Sequence, residues 1–129
     1  MDSVGMFAHE SELSGVDQSR PLIYMWEIWA KDGTLLGRYV GKASKGSRRP
    51  LSHYKRNVTN ILDGKPYRKG KPGGYRRVHR MLAEAMSNGH RVRLSLLKNV
   101  EPHESINRVE RILIKEYNSS GNETWQLND

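Results

Sequence analysis

Apolar side chains alternate from Leu22 to Ala30: Leu22, Tyr24, Trp26 and Ile28 share one face, and Ile23, Met25 and Trp29 the other. With both faces apolar and rich in aromatic and β-branched residues, the stretch predicts a strand buried on much of both sides. Lys31-Asp32-Gly33-Thr34 reads as a hairpin turn. Leu35 to Gly41 then returns antiparallel, putting Tyr24 and Tyr39 on neighbouring strands. Period two gives way to helical spacing at Leu51, Tyr54, Val58 and Ile61–Leu62, with Ser47 as the expected N-cap and Pro50 in the first turn.

A second helix is expected from near Tyr75, with Val78, Met81–Leu82 and Ala85–Met86 on its apolar face and Asn88-Gly89 at its end. Arg91 to Leu97 alternates again, with Val92, Leu94 and Leu96 inward. Pro102 marks the expected start of a last helix carrying Ile106, Val109, Leu113 and Tyr117 on one side. Trp125 and Leu127 in the polar tail are expected to fold back onto the core. The order is strand, strand, helix, helix, strand, helix. It predicts an α+β domain over residues 21–129, a small three-stranded antiparallel sheet flanked by helices. Residues 1–20 have no periodicity and read as a flexible acidic arm or an added strand, one that could shield a basic face.

Length and composition narrow the classes. At 129 residues and 36% hydrophobic content, one domain with a modest core is expected. No apolar run approaches the roughly 18 residues of a membrane span. No signal-peptide pattern opens the chain, so a cytoplasmic location is expected. The absence of cysteine rules out disulfides, thiolate metal sites and cysteine nucleophiles.

Charge changes the picture most. The net charge is +8, yet residues 1–20 sum to −3, leaving +11 on the remainder. Residues 42–80 hold thirteen Lys or Arg and one acid, Asp63. A field this one-sided suits a polyanion, and Tyr54, Tyr67 and Tyr75 are interleaved for stacking. Lys45, Arg48, Lys55, Arg56, Lys65, Arg68, Lys69, Lys71, Arg76 and Arg77 are the candidate phosphate contacts. Four glycines and two prolines make 63–74 a basic loop, long enough to be functional. The plain alternative is a solvated surface, which would not require acids to be missing from one window.

Glu110 is the sharpest anomaly, a carboxylate beside the helical neighbours Ile106, Leu113 and Ile114. Such a group is paired, protonated or holding a cation. The structural alternative pairs it with Lys115 or Arg111. A tyrosine is a poor base unless a cation lowers its pKa, and Lys42 lies just past Tyr39. Arg49 offers a planar fork for phosphate, and His53, four residues on, a proton donor or acceptor on the same helical face.

In combination these residues resemble the GIY-YIG nuclease superfamily. Leu22-Ile23-Tyr24 stands for the first tripeptide and Tyr39-Val40-Gly41 for the second; Lys42 follows directly. Arg49 falls ten residues after Tyr39 and His53 fourteen after, with Glu110 on a helix past the third strand. Leu22 and Val40 depart from the tripeptides, and the gap between them is long. The family's terminal asparagine would be Asn122 by distance from Glu110, or Gln126 by its place after Trp125.

The resemblance implies a DNA endonuclease using one divalent metal, Mg²⁺ or Mn²⁺, held by Glu110 with waters and phosphate oxygens. It implies Tyr24 and Tyr39 at the attacking water, helped by Lys42, and Arg49 and His53 on the phosphate. No second specificity domain is expected; the protein would act as a monomer, or as a homodimer on a palindromic target. The rivals are a non-catalytic nucleic-acid-binding module on the same fold, and a partner-binding protein whose basic face meets an acidic protein.

Overall fold

The alternation around Tyr24 becomes the central strand of the sheet. In the computed structural model, which describes residues 7–129, strand β1 is Glu10–Glu12, β2 is Leu22–Trp29 and β3 is Leu35–Ala43. β2 is buried almost throughout, as its two apolar faces require. It pairs antiparallel with β3 on one side and with β4 (Arg91–Asn99) on the other. Its faces feed two cores. Leu22, Tyr24, Trp26 and Ile28 pack with Tyr54 and Val58 of α1 (Tyr54–Leu62) and with Val78 and Leu82 of α2 (Arg77–Ser87). Ile23 and Met25 pack with Val109 and Leu113 of α3 (Ile106–Glu116). The sheet therefore lies between a layer of α1 and α2 and a layer of α3. Each large side chain removed from water this way contributes about 1.5–3 kcal/mol.

The α+β class and the helices flanking the sheet are as expected, but the sheet is not three-stranded and antiparallel. It has four strands in the order β1-β4-β2-β3, and β1 runs parallel to β4. Glu-Ser-Glu is exposed along its length, so no apolar pattern marks it as a strand. Its neighbours hold it instead. Phe7 packs on Trp26 with ring centroids 5.3 Å apart, and Glu10 pairs with Arg91 at 2.9 Å. Residues 1–6 of the expected arm lie outside the described residues. Farther along the arm, the Asp17 N–H donates to Asn99 at 2.8 Å and Arg20 pairs with Glu101 at 3.0 Å. Glu10 thus meets a cation of β4 instead of shielding the basic 42–80 face.

Helix starts also move. Ser47 is no N-cap: its N–H donates to the Gln18 carbonyl at 2.9 Å and its hydroxyl to the Gln18 side chain at 3.0 Å. Gly46 allows this approach, because a Cβ there would overlap the same carbonyl oxygen. The helical path begins instead with a π-helical turn, Arg49–His53, where the Tyr54 N–H reaches the Arg49 carbonyl. α2 begins at Arg77, after an extended Arg76. α3 begins after Ser105, whose hydroxyl accepts the Arg108 N–H at 3.3 Å, leaving Pro102 in the preceding loop. Residues 63–74 fold back on themselves, the Tyr67 N–H donating to the Pro72 carbonyl at 3.0 Å. The tail returns as expected: Leu127 is buried, and Trp125 and Leu127 bond the Arg38 backbone at 2.8 and 3.0 Å. Among the described residues, no helix is long and apolar enough to cross a membrane.

Candidate active site

β3 is an edge strand, and an edge exposes unpaired N–H and C=O groups. The tail covers part of it. Beyond the bonds at Arg38, the Asn128 side chain accepts the Val40 N–H and donates to the Val40 carbonyl, both at 2.8 Å. Beside this covered stretch lies a cleft of about 350 Å³ lined by Tyr24, Tyr39, Lys42, Arg49, Arg76 and Glu110. Strands β2 and β3, the π-helical turn, the start of α2 and the middle of α3 all supply it.

Gly41 is what lets Tyr24 in. It sits opposite Tyr24 in the β2–β3 register, and a Cβ there would overlap the tyrosine ring and hydroxyl. Tyr24 is buried and its hydroxyl lies 2.9 Å from that of Tyr54. Burial, the larger effect, and the neighbouring Tyr39 push its pKa up to about 12, against the pull of Arg76 and Arg49. The expected lowering of this tyrosine by Lys42 is absent; the Lys42 ammonium instead donates to the Asn107 side chain. Tyr24 is therefore a neutral phenol near neutral pH, able to position a water but ill suited to take its proton. Tyr39 is half-buried. The Arg76 guanidinium lies 5.3 Å from its ring centroid and donates to its hydroxyl.

Glu110 is half-buried. Burial raises its pKa, while Lys42, Arg76, Arg111 and Arg49 pull the other way. Neither Lys115 nor Arg111 pairs with it: the ion pairs among the described residues are Arg20–Glu101, Arg38–Glu27 and Arg91–Glu10. Surrounded by cations and bonded to none, this carboxylate can take a further ligand. No group of three or more His, Asp or Glu among the described residues could hold a metal by itself. A cation at Glu110 would complete its shell with water and phosphate oxygens, as Mg²⁺ does beside phosphates.

His53 does not line this cleft. It lies on the far side of Arg49, in two adjoining clefts that Arg49 also borders. Burial and the cations Arg56, Arg48 and Arg49 lower its pKa, so it is neutral at pH 7. Neither expected amide reaches the cleft. Asn122 is exposed, and Gln126 spends its amide on the Asn118 and Ser120 carbonyls. Lys45, Arg48, Lys55, Arg56, Lys65, Arg68, Lys69, Lys71, Arg76 and Arg77 are all exposed, as phosphate contacts must be. The interleaved tyrosines are different. Tyr54 and Tyr75 are buried, leaving Tyr67 half-exposed beneath Arg68, 5.0 Å from its ring.

Three participants went unforeseen. Arg76 is a cleft residue as well as a surface cation, Asn107 holds Lys42, and Asn128 is the amide that fixes the second tripeptide. Position in the chain announces neither Arg76 nor Asn128 as a site residue. Asn107 alone had a usable signal, one helical turn before Glu110 on the same face. No protein-family model matches the chain, and no curated protein or solved structure matches it significantly. The functional reading rests on the cleft.

Proposed function

We propose that the protein is a divalent-metal-dependent DNA endonuclease of the GIY-YIG type, hydrolysing phosphodiester bonds in the cleft at the β3 edge. One observation carries the reading. Tyr24, Tyr39, Lys42, Arg49 and Glu110, five of the six residues that the resemblance marks as catalytic, line a single cleft around an unpaired carboxylate. A purely cationic binding face has no use for that carboxylate.

In this reading Glu110 holds Mg²⁺ or Mn²⁺, whose chemistry is to neutralise charge building on the scissile phosphate and leaving oxygen. Arg49 and Arg76 grip the phosphate in line. The Tyr39 hydroxyl, accepting from Arg76, turns its own proton toward the attacking water or the phosphate. Tyr24 orients that water. His53, neutral and one wall away behind Arg49, is the proton acceptor, reached through a water. The exposed bases between Lys45 and Arg77 hold the DNA backbone. A cytoplasmic location would suit this role, and a palindromic target would imply a homodimer.

Incubation of supercoiled plasmid with the protein in Mg²⁺, with and without EDTA, tests this. Nicked or linear product that appears only without EDTA is expected. Plasmid that is bound but never cut would make the protein a nucleic-acid-binding module instead. Binding that does not weaken with added salt would point to an acidic protein partner.

A further inference from the structure

Arg49 and Arg76 have a second side. Behind them, between α1 and α2, lies a separate cleft of about 140 Å³, lined by Arg49, Arg56 and Arg76 together with His53, Tyr67 and His79. No acid lines it, and none of its three guanidiniums has a carboxylate partner among the described residues. Three guanidiniums without a carboxylate partner around one small space suit an anion.

His79 makes this more than a basic surface. It is only 5% exposed, and its Nδ1 is buried with no hydrogen-bond partner. Its ring packs edge-on against Tyr54, with centroids 4.8 Å apart, which fixes its orientation. Burial and the cations Arg76, Arg49 and Arg80 hold its pKa down to about 4, so it is neutral. A buried N–H with no acceptor is rarer and costlier than a buried lone pair, so the proton belongs on Nε2. That leaves a neutral donor among the residues that line the cleft with the three guanidiniums.

We propose that this cleft is a second phosphate site, which takes the phosphodiester next to the scissile one on the same strand. The adjacency rests on the nuclease reading; the affinity for phosphate does not. Arg49 and Arg76 border both clefts, so two consecutive phosphates would sit on opposite sides of the same pair of guanidiniums. The second phosphate thereby sets the strand's register in the active cleft.

The test follows the His79 ring resonances by NMR, assigned by their loss in His79→Gln, in two titrations. One uses inorganic phosphate, the other a short DNA duplex in Ca²⁺. Both are expected to shift the His79 signals saturably in the wild type. Arg56→Gln, an exposed position outside the active cleft, is expected to weaken the phosphate response at least about tenfold, and to flatten the slope of log affinity for DNA against log salt by about 0.9. No His79 response to phosphate, or an undiminished one in Arg56→Gln, overturns the site. A response to phosphate but not to duplex overturns its role on the strand. If both ligands shift His79 while plasmid is never cut, the site stands and the nuclease reading falls.

Discussion

Two glutamates on the α3 side of the sheet have opposite surroundings. Glu27 faces Arg38 across the β2–β3 register, and the guanidinium meets one carboxylate oxygen at 2.7 and 2.9 Å. Arg38 also donates to the Tyr117 carbonyl at 3.1 Å. That charge pair is closed within the chain. Glu110 has Lys42, Arg49, Arg76 and Arg111 acting on it and no ion pair among the described residues. The same chemistry of carboxylate and guanidinium thus closes one end of the sheet and leaves the other open. A charge paired within the fold holds the fold together; a charge left among unpaired cations is available to a ligand.

The comparison breaks most visibly in stability. Glu27→Ala strands the Arg38 guanidinium, whose side chain is only 21% exposed, and should cost about 2–3 kcal/mol in urea denaturation. Glu110→Ala should change stability by less than about 0.5 kcal/mol. Equal losses in the two variants would make Glu110 a structural residue. Next in size is Asn128→Ala, which orphans the Val40 N–H and carbonyl and should cost about 2 kcal/mol. It should also depress cleavage, because Val40 lies between Tyr39 and Gly41; unchanged turnover would detach the tail from the site.

Tyr24→Phe leaves the buried Tyr54 hydroxyl without its partner and should cost about 1 kcal/mol. Turnover should fall about tenfold with no change in the alkaline limb of the pH profile, since a phenol with a pKa near 12 does not titrate there. A tyrosine-dependent rise in rate between pH 8 and about 10 would restore it as a base. The smallest effect is a matter of sign. The Glu110 pKa is raised above 4.5 on folding, so the native state binds its proton more tightly than the unfolded chain and ionisation opposes folding. Glu110→Gln should therefore be slightly more stable than the wild type at pH 7. That gain should vanish as the pH falls below 4.5. A loss of stability at pH 7 would mean that the carboxylate has a partner.

Much of this was legible in the chain because periodicity reports burial. The two faces of β2, the inward residues of β4 and the apolar sides of α2 and α3 are where their spacing puts them. Local signals failed where a tertiary bond took a residue for another use. Ser47 looks like a cap but is bonded to Gln18, and Pro102 looks like a helix start but precedes Ser105, which caps instead. Of the two readings of the N-terminal arm, the added strand is the one the fold contains at Glu10–Glu12. Its place was not legible, because what holds β1 is the packing of Phe7 on Trp26 and the Glu10–Arg91 pair, not an apolar pattern of its own. In the site, Tyr24, Tyr39, Lys42, Arg49 and Glu110 could be picked out as a set by their resemblance to a known motif, and Asn107 shares the helical face of Glu110, whereas Arg76 and Asn128 lie outside the helices and strands, where only the folded chain defines the path.

The central claim is that Glu110 makes the open end of the sheet hydrolytic. The rate of plasmid nicking against free Mg²⁺, for wild type and Glu110→Gln at matched DNA occupancy, tests it most directly. A saturable, Mg²⁺-dependent rate in the wild type, lower by at least about a thousandfold in Glu110→Gln with DNA affinity retained, is the predicted result. Equal rates in the two proteins across the Mg²⁺ range would contradict it.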